Sequence, residues 1–240
     1  MCVLTILPHN NGFILTSNRD ESAKRAQATL PQFKDIGGQR MLMPIDPHAG
    51  GTWLAASETG RTIVLLNGAF QRHKHEPPYQ KSRGLVVLDT FGYTYLDEFI
   101  EGYELEGIEP FTMVISEVRP ERKITEIRWD EKQKYIKEVD AENPNLWQSA
   151  TLYLPEIIKA REERFELWLA ANADGISNES IHDFHFSERY DHETHQGEME
   201  NPHQLQTTSI SQLMITTNVS QMEHEDLLDD VKVTETLVHV

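Results

Sequence analysis

Cysteine is almost absent from this chain: the single one among 240 residues is Cys2. One thiol excludes an intramolecular disulfide framework and fits a reducing compartment. Basic residues are scarce as well, 22 Lys and Arg against 39 Asp and Glu, for a formal charge of −17. Nucleic-acid binding runs on phosphate neutralisation by clustered cations, so nucleic acid is not an expected partner. No apolar run approaches the length of a membrane span, and no basic segment followed by an apolar one opens the chain. No membrane span is expected, and the simplest location is the cytoplasm. His-Glu-x-x-His, cysteine-pair and calcium-loop patterns are missing too, so no metal or cofactor is expected. The length suits one domain, 1–240, with a substantial core, and leaves the oligomeric state open.

What is present begins at the second residue. If Met1 is removed, which a small side chain at position two permits, Cys2 carries a thiol and a free α-amine together. Their ordinary pKa values, about 8.5 and about 7.7–8.0, match a nucleophile and a proton acceptor near neutral pH. Cys2 can also be read as a small hydrophobe starting a strand, since free cysteine is often buried.

Residues 2–8 read as a strand and residues 13–17 as its return, around the turn signal Asn10-Asn11-Gly12. If Asn11-Gly12 form a two-residue loop, Asn10 pairs with Phe13 and Cys2 faces Glu21, with Asp20 and Arg19 alongside. The tetrad Asn18-Arg19-Asp20-Glu21 is thereby expected beside the only thiol. A carboxylate and a guanidinium there would orient the amine and tune both groups. The same four residues could instead form an Asx-type turn or cap a helix.

Met1-Cys2, Asn18-Arg19-Asp20-Glu21 and Gly50-Gly51-Thr52-Trp53-Leu54, in this order and spacing, resemble the NRDE family, whose eukaryotic members are the transport-and-Golgi-organisation proteins. Proteins of this kind are similar to N-terminal nucleophile hydrolases, especially the cysteine branch with penicillin V acylase and bile salt hydrolase. The resemblance implies an α+β fold, a four-layer αββα sandwich with Cys2 at the end of a central strand. It implies Cys2 as nucleophile with its own amine as base, Asp20 as the carboxylate holding that amine, and Asn67 as an oxyanion-hole donor. The acylases carry an arginine three residues before the aspartate; here Ser17 stands in that place and Arg19 adjoins the aspartate. Strand alternation sends 17 and 19 to one face, so Arg19 is a candidate substitute. A later asparagine of those acylases has no clear counterpart, and the segment 147–151 offers Ser149 in the corresponding region.

The remaining chain supplies strands at 52–57, 62–67, 111–118, 123–129, 134–139, 207–217 and 231–240, and helices at 82–91, 94–103 and 155–171. Strands, then helices, then strands suit α+β rather than repeating βαβ. Gly50-Gly51 would let backbone approach backbone or ligand closely, and Trp53 fits the core better than a pocket wall. Residues 69–82 read as a loop, either solvated or lining a pocket mouth, where Arg72, His73, Lys74 and His75 would suit an anionic group. The segment 178–203 holds five histidines among acids and is read as a polar surface insertion rather than a metal site.

The leading expectation is an amidohydrolase or acylase of the N-terminal nucleophile type, cleaving a non-peptide carbon–nitrogen bond of a small-molecule amide through a Cys2 thioester. Cys2, Asp20, Arg19 and Asn67 are its candidate catalytic residues. Asn18, Glu21, Trp53 and Ser149 are its candidate substrate contacts. The competing expectation is a non-catalytic binding or trafficking protein, related to haem or membrane traffic, on the same scaffold. No cysteine–proline haem motif accompanies Cys2.

Overall fold

The aliphatic and β-branched residues that open the chain form β1 (Val3–His9), antiparallel to β2 (Gly12–Ser22), in a computed structural model describing residues 3–22, 24–189 and 205–240. Cys2 and residues 190–204 lie outside the described residues, and with them His192, His195 and His203. The hairpin register differs from expectation. Val3 pairs with Asn18 and His9 with Gly12, so opposed residue numbers sum to 21 rather than 23, and the loop is Asn10-Asn11. Gly12 pairs with His9 within the strand, and only glycine fits there, since a Cβ would lie 1.8 Å from the Ile215 carbonyl oxygen. Asn10 takes the positive φ of 49° instead, a conformation asparagine tolerates. A change of two moves each residue's partner and keeps its face.

Two antiparallel sheets follow. The first has the order β10 (Asn145–Gln148), β1, β2, β11 (Leu205–Ile215), β12 (Val219–Asp226), β13 (Val231–Val238). The second runs in chain order: β3 (Gln32–Ile36), β4 (Gln39–Met43), β5 (Leu54–Ser57), β6 (Arg61–Asn67), β7 (Phe111–Glu117), β8 (Lys123–Trp129), β9 (Lys134–Val139). Its strands β7, β8 and β9 form a meander at the three adjacent strand positions read from the sequence.

Alternation sets the layers. Leu4, Ile6, Phe13 and Leu15 join the main core with Leu54, Ile63 and Leu65 of the second sheet. Leu7 and Ile14 point the other way and pack on Phe165, Ile181 and Phe184. Those three come from α3 (Pro155–Ala171) and α4 (Asn178–Ser187). The short helices α1 (Arg83–Thr90) and α2 (Leu96–Gly102) bury Val86, Val87, Leu96 and Phe99 against the second sheet. The result is the four-layer αββα sandwich. Each fully buried Leu, Ile or Phe contributes about 1.5–3 kcal/mol, so the shared inter-sheet core dominates the fold's stability.

One segment departs from its reading. Residues 178–187 are not a solvated insertion but α4, with Ile181, Phe184 and His185 buried on the first sheet. Ser177 caps it by accepting from the Ser180 amide, and three well-spaced inward residues suffice to dock it despite its polar composition. Among the described residues no helix is long and apolar enough to cross a membrane.

Candidate active site

The tetrad lies inside β2, neither in a turn nor at a helix cap, and alternation divides it between the two faces of the strand. Arg19 and Glu21 line a cavity of about 230 Å³ between the sheets. Asn18 and Asp20 face the helical layer.

On the cavity side, the Arg19 guanidinium sits 4.6 Å from the Trp53 ring centroid, within cation–π range. Its Nη1 donates to Thr208 Oγ1 at 3.1 Å, and it lies 3.6 Å from Glu21 and 3.7 Å from Asp46. Arg25 pairs with Asp46 at 2.6 Å and with Glu21 at 3.5 Å. Burial works to raise the Asp46 pKa, but the hydrogen bond and charge of Arg25 outweigh it and hold the carboxyl below its ordinary range. Across the cavity, Arg83 at the start of α1 pairs with Glu109 at 3.0 Å; burial nevertheless pulls its pKa down. The lining thus has three guanidinium groups and two carboxylates, with Trp53 and Leu65 as the apolar wall.

Gly51 explains part of the motif at residues 50–54. A Cβ there would fall 2.4 Å from the Gly84 carbonyl carbon, so the backbone preceding β5 packs directly on the start of α1. That contact, with the Thr52 amide donating to the Gly84 carbonyl at 3.2 Å, builds the cavity floor from main chain. Trp53 is buried, as a core residue should be, yet it also forms a cavity wall.

Asn67 ends β6 and lines the cavity. Its carbonyl accepts from Ser149 Oγ at 2.8 Å, which straps the end of β10 to the end of β6. Ser149 is fully buried and holds Asn67 rather than lining the cavity.

On the helical side, Asn18 is directed at α4 and away from the cavity. Its Nδ2 donates to the His185 carbonyl at 2.9 Å, and its Oδ1 accepts from His185 Nδ1 at 2.8 Å. His185 Nε2 lies 2.8 Å from Thr5 Oγ1. Burial, reinforced by the charges of Arg161 and His182, pushes the His185 pKa down to about 3. The ring is therefore neutral, with Nδ1 donating to Asn18 and Nε2 accepting from Thr5. Asp20 is buried between two hydroxyls: Tyr153 donates to Oδ2 and Thr207 to Oδ1. Thr207 is opposite Asp20 in β11, just before a register shift at 207/209 that directs Thr208 to Arg19.

Of the residues singled out from sequence, Arg19, Glu21, Trp53 and Asn67 converge on the cavity. Asp20 and Asn18 stand behind the same strand, and Cys2 is joined through one peptide bond to Val3, the partner of Asn18. Arg25, Asp46, Arg83, Tyr153, Thr207 and His185 went unrecognised, because none lies in a local motif. The loop's Ser82 lines the cavity, but its basic residues Arg72, His73, Lys74 and His75 do not: His73 and His75 both bond Glu109, at 3.1 and 3.0 Å, and Lys74 pairs with Glu76.

The fold is similar to that of several solved hydrolases. A variant of conjugated bile acid hydrolase from Clostridium perfringens matches with TM-score 0.62 at 8% identity, covering 99% of this chain and 96% of that one. Penicillin V acylase from Agrobacterium tumefaciens matches with TM-score 0.63 at 10% identity, covering 97% and 85%. A Caenorhabditis elegans N-acylethanolamine-hydrolyzing acid amidase ortholog matches with TM-score 0.58 at 9% identity, covering 88% and 92%. At such identities the likeness is one of fold, the N-terminal nucleophile hydrolase type. A comparison with curated protein sequences finds no match. The family model described as Transport and Golgi organisation 2 matches residues 1–235, and the chain belongs to that family.

Proposed function

We propose that this protein is a cysteine amidohydrolase of the N-terminal nucleophile type, acting in the cytoplasm on a non-peptide amide of a small molecule. One observation carries the reading: Arg19 and Asn67, on strands of opposite sheets, line one inter-sheet cavity, and Arg19 directly follows Asn18, the β2 partner of Val3. In this mechanism the Cys2 thiolate attacks the amide carbonyl and forms a tetrahedral intermediate. Asn67 and a backbone N–H stabilise the oxyanion, a contribution of about 3–4 kcal/mol for a well-placed donor. The α-ammonium of Cys2, having accepted the thiol proton, passes it to the leaving amine as the carbon–nitrogen bond breaks. Water, deprotonated by the same amine, then resolves the thioester and releases the acid. Asp20 holds the amine from behind the strand, and Arg19 holds negative charge at the cavity face. The acyl or amine portion packs on Trp53 and Leu65, within reach of Glu21.

The family's description, which speaks of transport, favours a second reading: a binding or trafficking protein in which the cavity holds a ligand without turning it over. Hydrolysis separates the two. N-acyl amino acids, penicillin V and acyl-homoserine lactones are assayed with wild type and Cys2→Ala. Turnover by wild type that is lost in Cys2→Ala supports the hydrolase. Turnover surviving Cys2→Ala moves the chemistry elsewhere, and none in a broad screen favours the binding protein.

A further inference from the structure

The helical layer contains a polar chain that runs to Asp20. Tyr153, in the connection between β10 and α3, is buried and donates its hydroxyl to Asp20 Oδ2. The Arg161 guanidinium, buried on the inner face of α3, stacks over the Tyr153 ring at 4.2 Å from its centroid. Arg161 is itself anchored, Nε to Glu188 at 2.9 Å and Nη1 to Gln148 Oε1 at 2.6 Å, and Arg164 grips the same Glu188. Burial opposes the charge on Arg161, but Tyr153, Glu188 and Asp20 outweigh it and raise its pKa, so the cation is permanent.

We propose that Tyr153, held by Arg161, is a positioning residue that sets the orientation in which the Asp20 carboxylate holds the Cys2 α-amine. This rests on the catalytic reading of Cys2 given above. The terminal torsion of an aspartate is broad, so one backbone position allows many carboxyl orientations. A donor on each oxygen removes that freedom, and here the two donors come from different elements, Thr207 across the sheet and Tyr153 from the helical layer. A carboxylate accepts at about four lone-pair positions, so two hydroxyls leave it capacity for an ammonium. The Tyr153 ring cannot swing away without leaving the face of Arg161. Stability alone would ask only that a buried phenol find some acceptor. A chain that runs from Glu188 through Arg161 and Tyr153 to one carboxylate oxygen does more, since it fixes a direction.

The test is the pH dependence of iodoacetamide labelling of the only thiol in full-length wild type, Tyr153→Phe, Arg161→Lys, Arg161→Met and Asp20→Asn, with thermal unfolding measured in parallel. A well-held ammonium depresses the thiol pKa, and a loosened one lets it return toward about 8.5. Tyr153→Phe keeps the ring and its stacking but loses the donor. It should slow labelling at pH 6 by about three- to tenfold, the scale of one hydrogen bond, and raise the midpoint. Arg161→Lys should fall between wild type and Arg161→Met, and Asp20→Asn should shift furthest. A purely structural role would lower the unfolding temperature and leave the midpoint in place. A folded Tyr153→Phe with the wild-type midpoint, while Asp20→Asn shifts, overturns the positioning role alone. An unshifted Asp20→Asn overturns the Cys2 reading and the positioning role with it. If Tyr153→Phe does not fold, an unshifted midpoint in Arg161→Lys overturns the proposal.

Discussion

Ser149 Oγ donates to the Asn67 carbonyl at 2.8 Å, and this bond ties the end of a strand in one sheet to the end of a strand in the other. The oxyanion donor proposed for the site is thus braced from the opposite layer. Electrostatic stabilisation of a developing oxyanion depends on such preorganisation, because a donor that must reorient loses much of its value. Asn67→Ala should lower any turnover by roughly 100-fold or more, the scale of one oxyanion donor. Ser149→Ala should cost less, on the order of several-fold for one hydrogen bond that acts through its partner. Steady-state kcat on the best substrate of the panel checks both, and equal losses in the two would mean that Ser149 touches the substrate itself.

Asp20→Asn should leave the fold intact and sharply reduce both thiol reactivity and any amidase turnover. The amide still accepts a hydrogen bond on its oxygen, but its NH2 faces a hydroxyl donor and its charge is gone. If ligand affinity changes while reactivity does not, the binding reading gains.

Gly12→Ala should destabilise the protein by about 3 kcal/mol or more, since the new methyl would meet a backbone carbonyl that cannot turn aside. Denaturant unfolding measures it. A loss below about 1 kcal/mol, within the range of an ordinary glycine-to-alanine change, would mean that β2 and β11 shift apart.

Acid should weaken the fold through two buried histidines. Burial pushes His185 down to about 3 and His224 down to about 4, from an ordinary value of 6.5. Between those values and 6.5 the unfolded chain binds protons that the folded one refuses, so stability rises with pH across the window and is lost as pH falls. Each histidine adds a slope of at most about 1.4 kcal/mol per pH unit. Unfolding free energies at pH 7 and pH 5 in wild type and His185→Gln give the slopes, and the variant should be the less steep.

The site was legible where the sequence is local and illegible where it is not. Residues 18–21 and 50–54 are contiguous, so their motifs could be read directly, and Asn67 follows a short apolar strand. The hairpin register could not be read from the turn alone, because Gly12 lies in the strand against the backbone of Ile215, some two hundred residues away. Strand β12 was missed for a physical reason: its buried positions are Ser220, Met222, His224 and Asp226, so the alternation is there but is mostly not apolar. Helix α3 was found because Phe165 and its neighbours repeat at helical spacing. The same helix carries Arg161, whose partners Tyr153 and Glu188 come from other elements and leave no pattern in the sequence.

The proposed mechanism requires the first residue of the mature chain to be an activated cysteine. Intact-mass spectrometry of the native protein after brief alkylation at pH 6 tests it most directly, since one spectrum reports both the N-terminus and the thiol. The mechanism predicts a mass lacking Met1 and carrying one label, acquired faster than by a model thiol at the same pH. A mass that retains Met1, or a folded protein that stays unlabelled under those conditions, would contradict it.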